Sequence, residues 1–192
     1  MKAVLAINLV MFGVELTAGI LASSTALLAD SLDMLGDSLV YGFSLYVVAR
    51  NQTWKAMAAF FKSGIMLAFG LFVLVQAIYK VIYPVTPTYE LIGLIGLLAL
   101  VANVSCLVML WRHRTEDINM RSVWLCSRND VIANTAVLFA AAGVWLSASQ
   151  WPDLIVGVGI ACLFLRSSWH VWQDARCTWR VERVTAALNL KE

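Results

Sequence analysis

The stretch "ADSLDMLGDSL", residues 29–39, decides the fold. Asp30, Asp33 and Asp37 fall within eight positions, and the residues on both sides are nearly all apolar or small. At 3.6 residues per turn, side chains three and four positions apart share one face of a helix. The three acids therefore form a stripe, which belongs to either a solvated helix or a polar seam within a membrane bundle. Composition chooses between them. Of 192 residues, 61% are hydrophobic and 14% charged, against about 25% charged in an ordinary soluble domain. A soluble domain of this size cannot cover so much apolar surface, so the chain reads as an all-α integral membrane protein.

About 20 residues are needed to cross the hydrocarbon as a helix. Six spans are expected, at residues 3–23, 26–49, 57–80, 89–111, 119–147 and 153–172. Turn and polar chemistry separates them: "ASST", "RNQTWK", "YPVTPTYE", "RHRTEDIN" and "SASQWPD". The first span is not read as a cleaved leader, because Glu15 interrupts its apolar core and another span follows closely. Residues 1–172 are expected to form one transmembrane domain, and residues 173–192 a short cytoplasmic tail with no domain of its own.

Basic residues set the orientation. With the N-terminus inside, the inner face collects Lys2, Arg50, Lys55, Lys62, Arg112, Arg114, Arg121, Arg166, Arg176, Arg180, Arg183 and Lys191, and the outer face only Lys80. Both termini are therefore expected in the cytoplasm. The net charge of +2 is spread over separate loops and not gathered into a basic patch, which argues against nucleic-acid binding. The four cysteines show no pairing by spacing, so no disulfide framework is expected.

An ionised carboxylate in mid-membrane is costly, and such residues face the bundle interior and act there. Asp33 and Asp37 stand one above the other, with about 6 Å of rise between them. Two stacked acids do not readily both stay ionised, so a proton is held there unless a dication neutralises both and expels it. The pair thus suits exchange of metal against protons. The structural alternative is an acid pair bonded to neighbouring helices, and DxxxD alone is a weak motif.

A second pair strengthens the case. In "WLCSRNDVIAN", Cys126 and Asp130 are also four apart. Three carboxylates and one potential thiolate make the right count for a tetrahedral site. If the helix ends are level, the mean depths of the two pairs differ by about 9 Å. Arg128, two residues from each member, points to the opposite face.

These stretches, "ALLADSLDMLGDSL" entering span two and "NMRSVWLCSRNDVIAN" entering span five, resemble the cation diffusion facilitators, which export divalent metals. The resemblance covers nearly the whole chain. Family members similar to zinc exporters carry HxxxD in both spans. The matching positions here are Asp33, Asp37, Cys126 and Asp130, with both histidines changed. The resemblance implies a metal/proton antiporter of alternating access, working as a homodimer through its spans. It also implies a minimal member, since the family's C-terminal cytoplasmic domain is not seen in this sequence.

Mixed carboxylate and thiolate ligands suit Zn²⁺ or Cd²⁺ best, with Fe²⁺, Co²⁺ or Mn²⁺ next; a thiol disfavours Mg²⁺ and Ca²⁺. The metal is cargo, and no resident cofactor is expected. Asp30 and Glu15 are candidates for proton relay or support of the site. His170 and Asp174, four apart near the end of span six, are candidates for an accessory site, although a wetted helix end explains them as well. Asn8, Gln76 and Asn103 read as polar contacts between helices, and Asp153 as a helix cap. A metal-dependent lipid phosphotransferase also uses DxxxD, but the DG-and-AR pattern it requires is absent, so no enzyme is expected. A passive channel would bind ions weakly, whereas four anionic ligands would trap a dication.

Overall fold

A computed structural model describes residues 2–47, 52–111 and 118–189. The described residues form six α-helices: α1 (Lys2–Leu21), α2 (Thr25–Val47), α3 (Gln52–Ile82), α4 (Tyr89–Trp111), α5 (Ile118–Ser147) and α6 (Trp151–Asn189). Five contain stretches long and apolar enough to cross a membrane: Lys2–Leu21, Ser63–Ile82, Tyr89–Trp111, Arg128–Ser147 and Trp151–His170. The remaining helix, α2, carries the acid stripe; its 23 residues span about 35 Å. Helix α6 runs on to Asn189, well past the expected end of span six at residue 172.

The helices pack as four plus two. Helices α1, α2, α4 and α5 close a ring, in which α1 lies against α2 and α4, and α5 against α4 and α2. Helices α3 and α6 make the most extensive pair and dock onto the ring through α2 and α5. Helix α2 is therefore the hub, and its neighbours explain why its polar stripe is tolerable. The apolar residues between its acids seal against the rest of the bundle. Ala26 and Leu27 join Ala18, Ala22, Ile92, Val137, Ala140 and Ala141. Leu28, Ala29 and Leu32 join Val73 and Ala161, and Met34 joins Met11 and Ala99. Many large apolar side chains face outward, among them Leu71, Val75, Leu94, Val101, Ile155 and Leu163, as a lipid-solvated surface requires.

The turn between α1 and α2 fixes where the stripe begins. The Ser24 amide donates to Gly19 O at 2.8 Å and the Ser23 amide to Ile20 O at 3.2 Å, with Ser23 in the left-handed region at φ 50°. This is the Schellman ending of a helix, here without its usual glycine. Asp153 then caps the start of α2 from another helix. Its carboxylate accepts from the Ser24 hydroxyl at 2.5 Å, the Thr25 amide at 2.6 Å and the Ala26 amide at 3.2 Å. The sequence explains Asp153 as a local cap on its own helix; its partners lie 127 to 129 positions away. Lys80 Nζ donates to Ser23 O at 2.7 Å and Thr25 Oγ1 at 2.9 Å. Gln150 joins the same end, donating to Lys80 O at 3.1 Å and accepting from the Val85 amide at 2.9 Å. Close approach is made possible by Gly157, where an added Cβ would lie 2.6 Å from the Thr25 carbonyl carbon.

Candidate metal centre

Four helices, α2, α3, α5 and α6, contribute to one cavity of about 500 Å³. Asp33, Gly36 and Asp37 come from α2, Ser63 and Met66 from α3, Asn129 and Asp130 from α5, and Phe164, Ser167 and Ser168 from α6. All of these lie beyond the tightly packed start of α2, toward the bundle end that holds Lys2. Exposed Ile132 and Leu163 border the cavity. The bundle is thus closed by the Asp153 network at one end and hollow around Asp33 and Asp37 on the other side of it.

Asp130 reaches across from α5, and its carboxyl makes side-chain hydrogen bonds with those of Asp33 and Asp37. The depth mismatch expected from level helix ends does not keep these groups apart. A hydrogen bond between two carboxyl groups needs a proton on one of them, and a dication arriving at the same oxygens displaces it. Asp37 and Asp130 are each 5% exposed, so little water competes for them. As the side chains stand, no group of three or more His, Cys, Asp or Glu among the described residues is spaced to hold a metal.

The other expected site residues divide into three groups. Cys126 stands on α5 one turn before Asp130, but its side chain lies outside the described residues, as does that of Asp174. His170 is exposed and does not line the cavity. Glu15 and Asp30 are both fully buried, on α1 and α2, and interact electrostatically with each other. Arg128 is exposed and outside the cavity lining, in keeping with its expected opposite face.

Asn134 was not picked out by sequence reasoning. Its Nδ2 donates to the Asp130 backbone carbonyl at 2.9 Å and to Asp30 Oδ1 at 3.4 Å. It therefore links the α5 acid to the α2 stripe. The signal was present in the same quoted stretch, since Asn134 lies four residues after Asp130 and so on its face. Ser63 and Ser168, both buried in the cavity wall, carried no such signal.

Comparison with known proteins places this geometry in context. The family pattern described as the cation efflux transmembrane domain matches residues 1–176. The chain is similar to the "Zinc transporter ZitB" of Yersinia pestis, at 26% identity over 178 residues, covering 84% of this chain and 56% of that protein. It is similar to the "Cadmium, cobalt and zinc/H(+)-K(+) antiporter" of Bacillus subtilis (strain 168), at 25% identity over 196 residues, covering 91% and 62%. It is also similar to the "Metal cation efflux system protein CzcD" of Cupriavidus metallidurans, at 22% identity over 183 residues, covering 88% and 57%. The chain thus spans 56% to 62% of the length of these relatives.

Proposed function

The chain belongs to the cation efflux transmembrane domain family and is a multi-pass membrane protein, and on that premise we propose that it exports divalent transition-metal ions from the cytosol in exchange for protons. The observation that carries the reading is the meeting of Asp130 with Asp33 and Asp37 at the wall of a cavity inside the bundle. Protons and a dication are alternative neutralisers of those oxygens, and binding of one expels the other. Asp33, Asp37, Cys126 and Asp130 are the proposed ligands. Asn134, bonded to the backbone of Asp130 and to Asp30, would orient the α5 acid from behind.

Zinc or cadmium is the proposed cargo. The relatives' names include zinc, cadmium and cobalt, and a thiolate beside carboxylates favours the softer of these ions. Both termini are placed in the cytoplasm on the strength of the basic residues in the inner loops. With that orientation the hollow half of the bundle faces inward, and the Asp153–Lys80–Gln150 network closes the outer half. Such a state would receive metal from the cytosol; alternating access would require that network to part. A bacterial inner membrane suits the bacterial relatives, and a homodimer would form through the spans.

Uptake into everted membrane vesicles tests the reading. Zn²⁺ or Cd²⁺ should accumulate when the vesicle interior is acidic and stop when the gradient is collapsed. Accumulation indifferent to the proton gradient, or none for any of Zn²⁺, Cd²⁺, Co²⁺, Fe²⁺ and Mn²⁺, would refute it.

A further inference from the structure

A second group of buried oxygens lies one turn of α2 nearer the closed end, outside the cavity lining. Glu15, Asp30 and Asn134 are all 0% exposed. Both carboxylate oxygens of Glu15, Oδ2 of Asp30 and Oδ1 of Asn134 have no hydrogen-bond partner. Three helices bring these residues together. Asp30 receives the Asn134 amide at 3.4 Å, and Glu15 lies near enough to Asp30 to interact with it electrostatically, as Asp33 of the cavity wall does with both. Apolar layers close the group on both sides along α1 and α2. Ala18, Ala22, Ala26 and Leu27 pack together on one side, and Met11 and Met34 on the other.

Buried acceptors are ordinarily satisfied, and a sealed group of acceptors with so few donors is chemically incomplete. The completing species must bring positive charge and accept oxygen ligands alone. Neither sulfur nor imidazole is among these residues, so a soft or borderline transition metal gains nothing there. Mg²⁺ retains several waters, for which a site closed by apolar layers leaves little space. We propose that Glu15, Asp30 and Asn134 form a second cation site, for a hard ion bound by oxygen such as Na⁺, K⁺ or Ca²⁺, distinct from the transport carboxylates. Asp30 precedes Asp33 by one turn on the same face of α2. Occupation would hold α1, α2 and α5 together at their polar point.

The test is the thermal stability of the purified full chain in detergent at neutral pH. NaCl, KCl and CaCl₂ are compared with choline chloride at equal ionic strength and without transition metal. At least one of the three ions should raise the melting temperature by about 5 °C at saturation. The rise should vanish in Glu15→Gln and persist in Asp37→Asn, which alters the cavity acids only. Should Glu15→Gln fail to fold, Asn134→Ser takes its place and should weaken the apparent ion affinity by about tenfold. Equal melting in all salts, with stability responding to pH alone, would overturn the proposal by showing that protons suffice. Loss of the ion effect in Asp37→Asn as well would also overturn it, by placing the ion among the transport carboxylates.

Discussion

Asp130 bonds to acids on a helix almost a hundred residues away in sequence, so its removal should cost more than its own charge. Asp130→Asn keeps the shape and the bond to Asn134 through the backbone. It should lower zinc affinity at least about tenfold, measured by titration of the purified protein. A variant that binds as tightly as the parent would remove Asp130 from the site. Cys126→His should move preference from Cd²⁺ toward Zn²⁺ in vesicle uptake, because nitrogen is the harder donor; unchanged selectivity would mean that the sulfur does not choose the ion. At this scale the sequence was informative where spacing carries meaning. Asp33 with Asp37, and Asp130 on a second helix, could be read from i, i+4 pairs. Asn134 was overlooked because an asparagine in a span reads equally well as a contact between helices. The partners of Asp153 could not be read at all, since a cap supplied by another helix leaves no local pattern.

Helix α2 depends on close contact at its first turn. Gly157→Val would drive a branched side chain into the Thr25 backbone, 2.6 Å from where even a Cβ would sit. The substitution should destabilise the protein by about 1–3 kcal/mol, read as a lowered melting temperature in detergent; unaltered melting would show that α2 and α6 can separate freely. Asp153→Ala removes an acceptor from two amides and a hydroxyl at that turn. A loss of about 2–4 kcal/mol is expected from charged hydrogen bonds of this kind, and a loss under about 0.5 kcal/mol would contradict the capping role. The positions of the spans were legible from apolar length and intervening turn chemistry. Two of their ends were less so: α3 begins at Gln52 and α6 extends to Asn189. Amphipathic continuation of a membrane helix into the polar zone needs no apolar run, so hydropathy does not mark it.

At the level of the whole molecule, a four-helix ring with a docked pair places α2 against four of the other five helices, α1, α3, α5 and α6. This explains how a stripe of acids survives in a lipid-facing protein: the residues between and before the acids pack against other helices. Sequence gave no access to this arrangement, because helix order in space follows from packing and not from any single motif. Under the proposed function, the hollow half and the latched half would together be one state of an alternating-access cycle. Since the ligands must lose protons to hold a metal, apparent metal affinity should rise with pH and fall as acid is added; a flat profile between pH 5.5 and 8 would speak against shared seats for metal and protons. The most direct measurement loads proteoliposomes with a pH indicator and a zinc indicator and records both while an imposed gradient drives transport. Zinc movement and opposing proton movement should begin together and be lost together in Asp37→Asn. Zinc flux that continues with no proton movement, or survives in Asp37→Asn, would contradict the account.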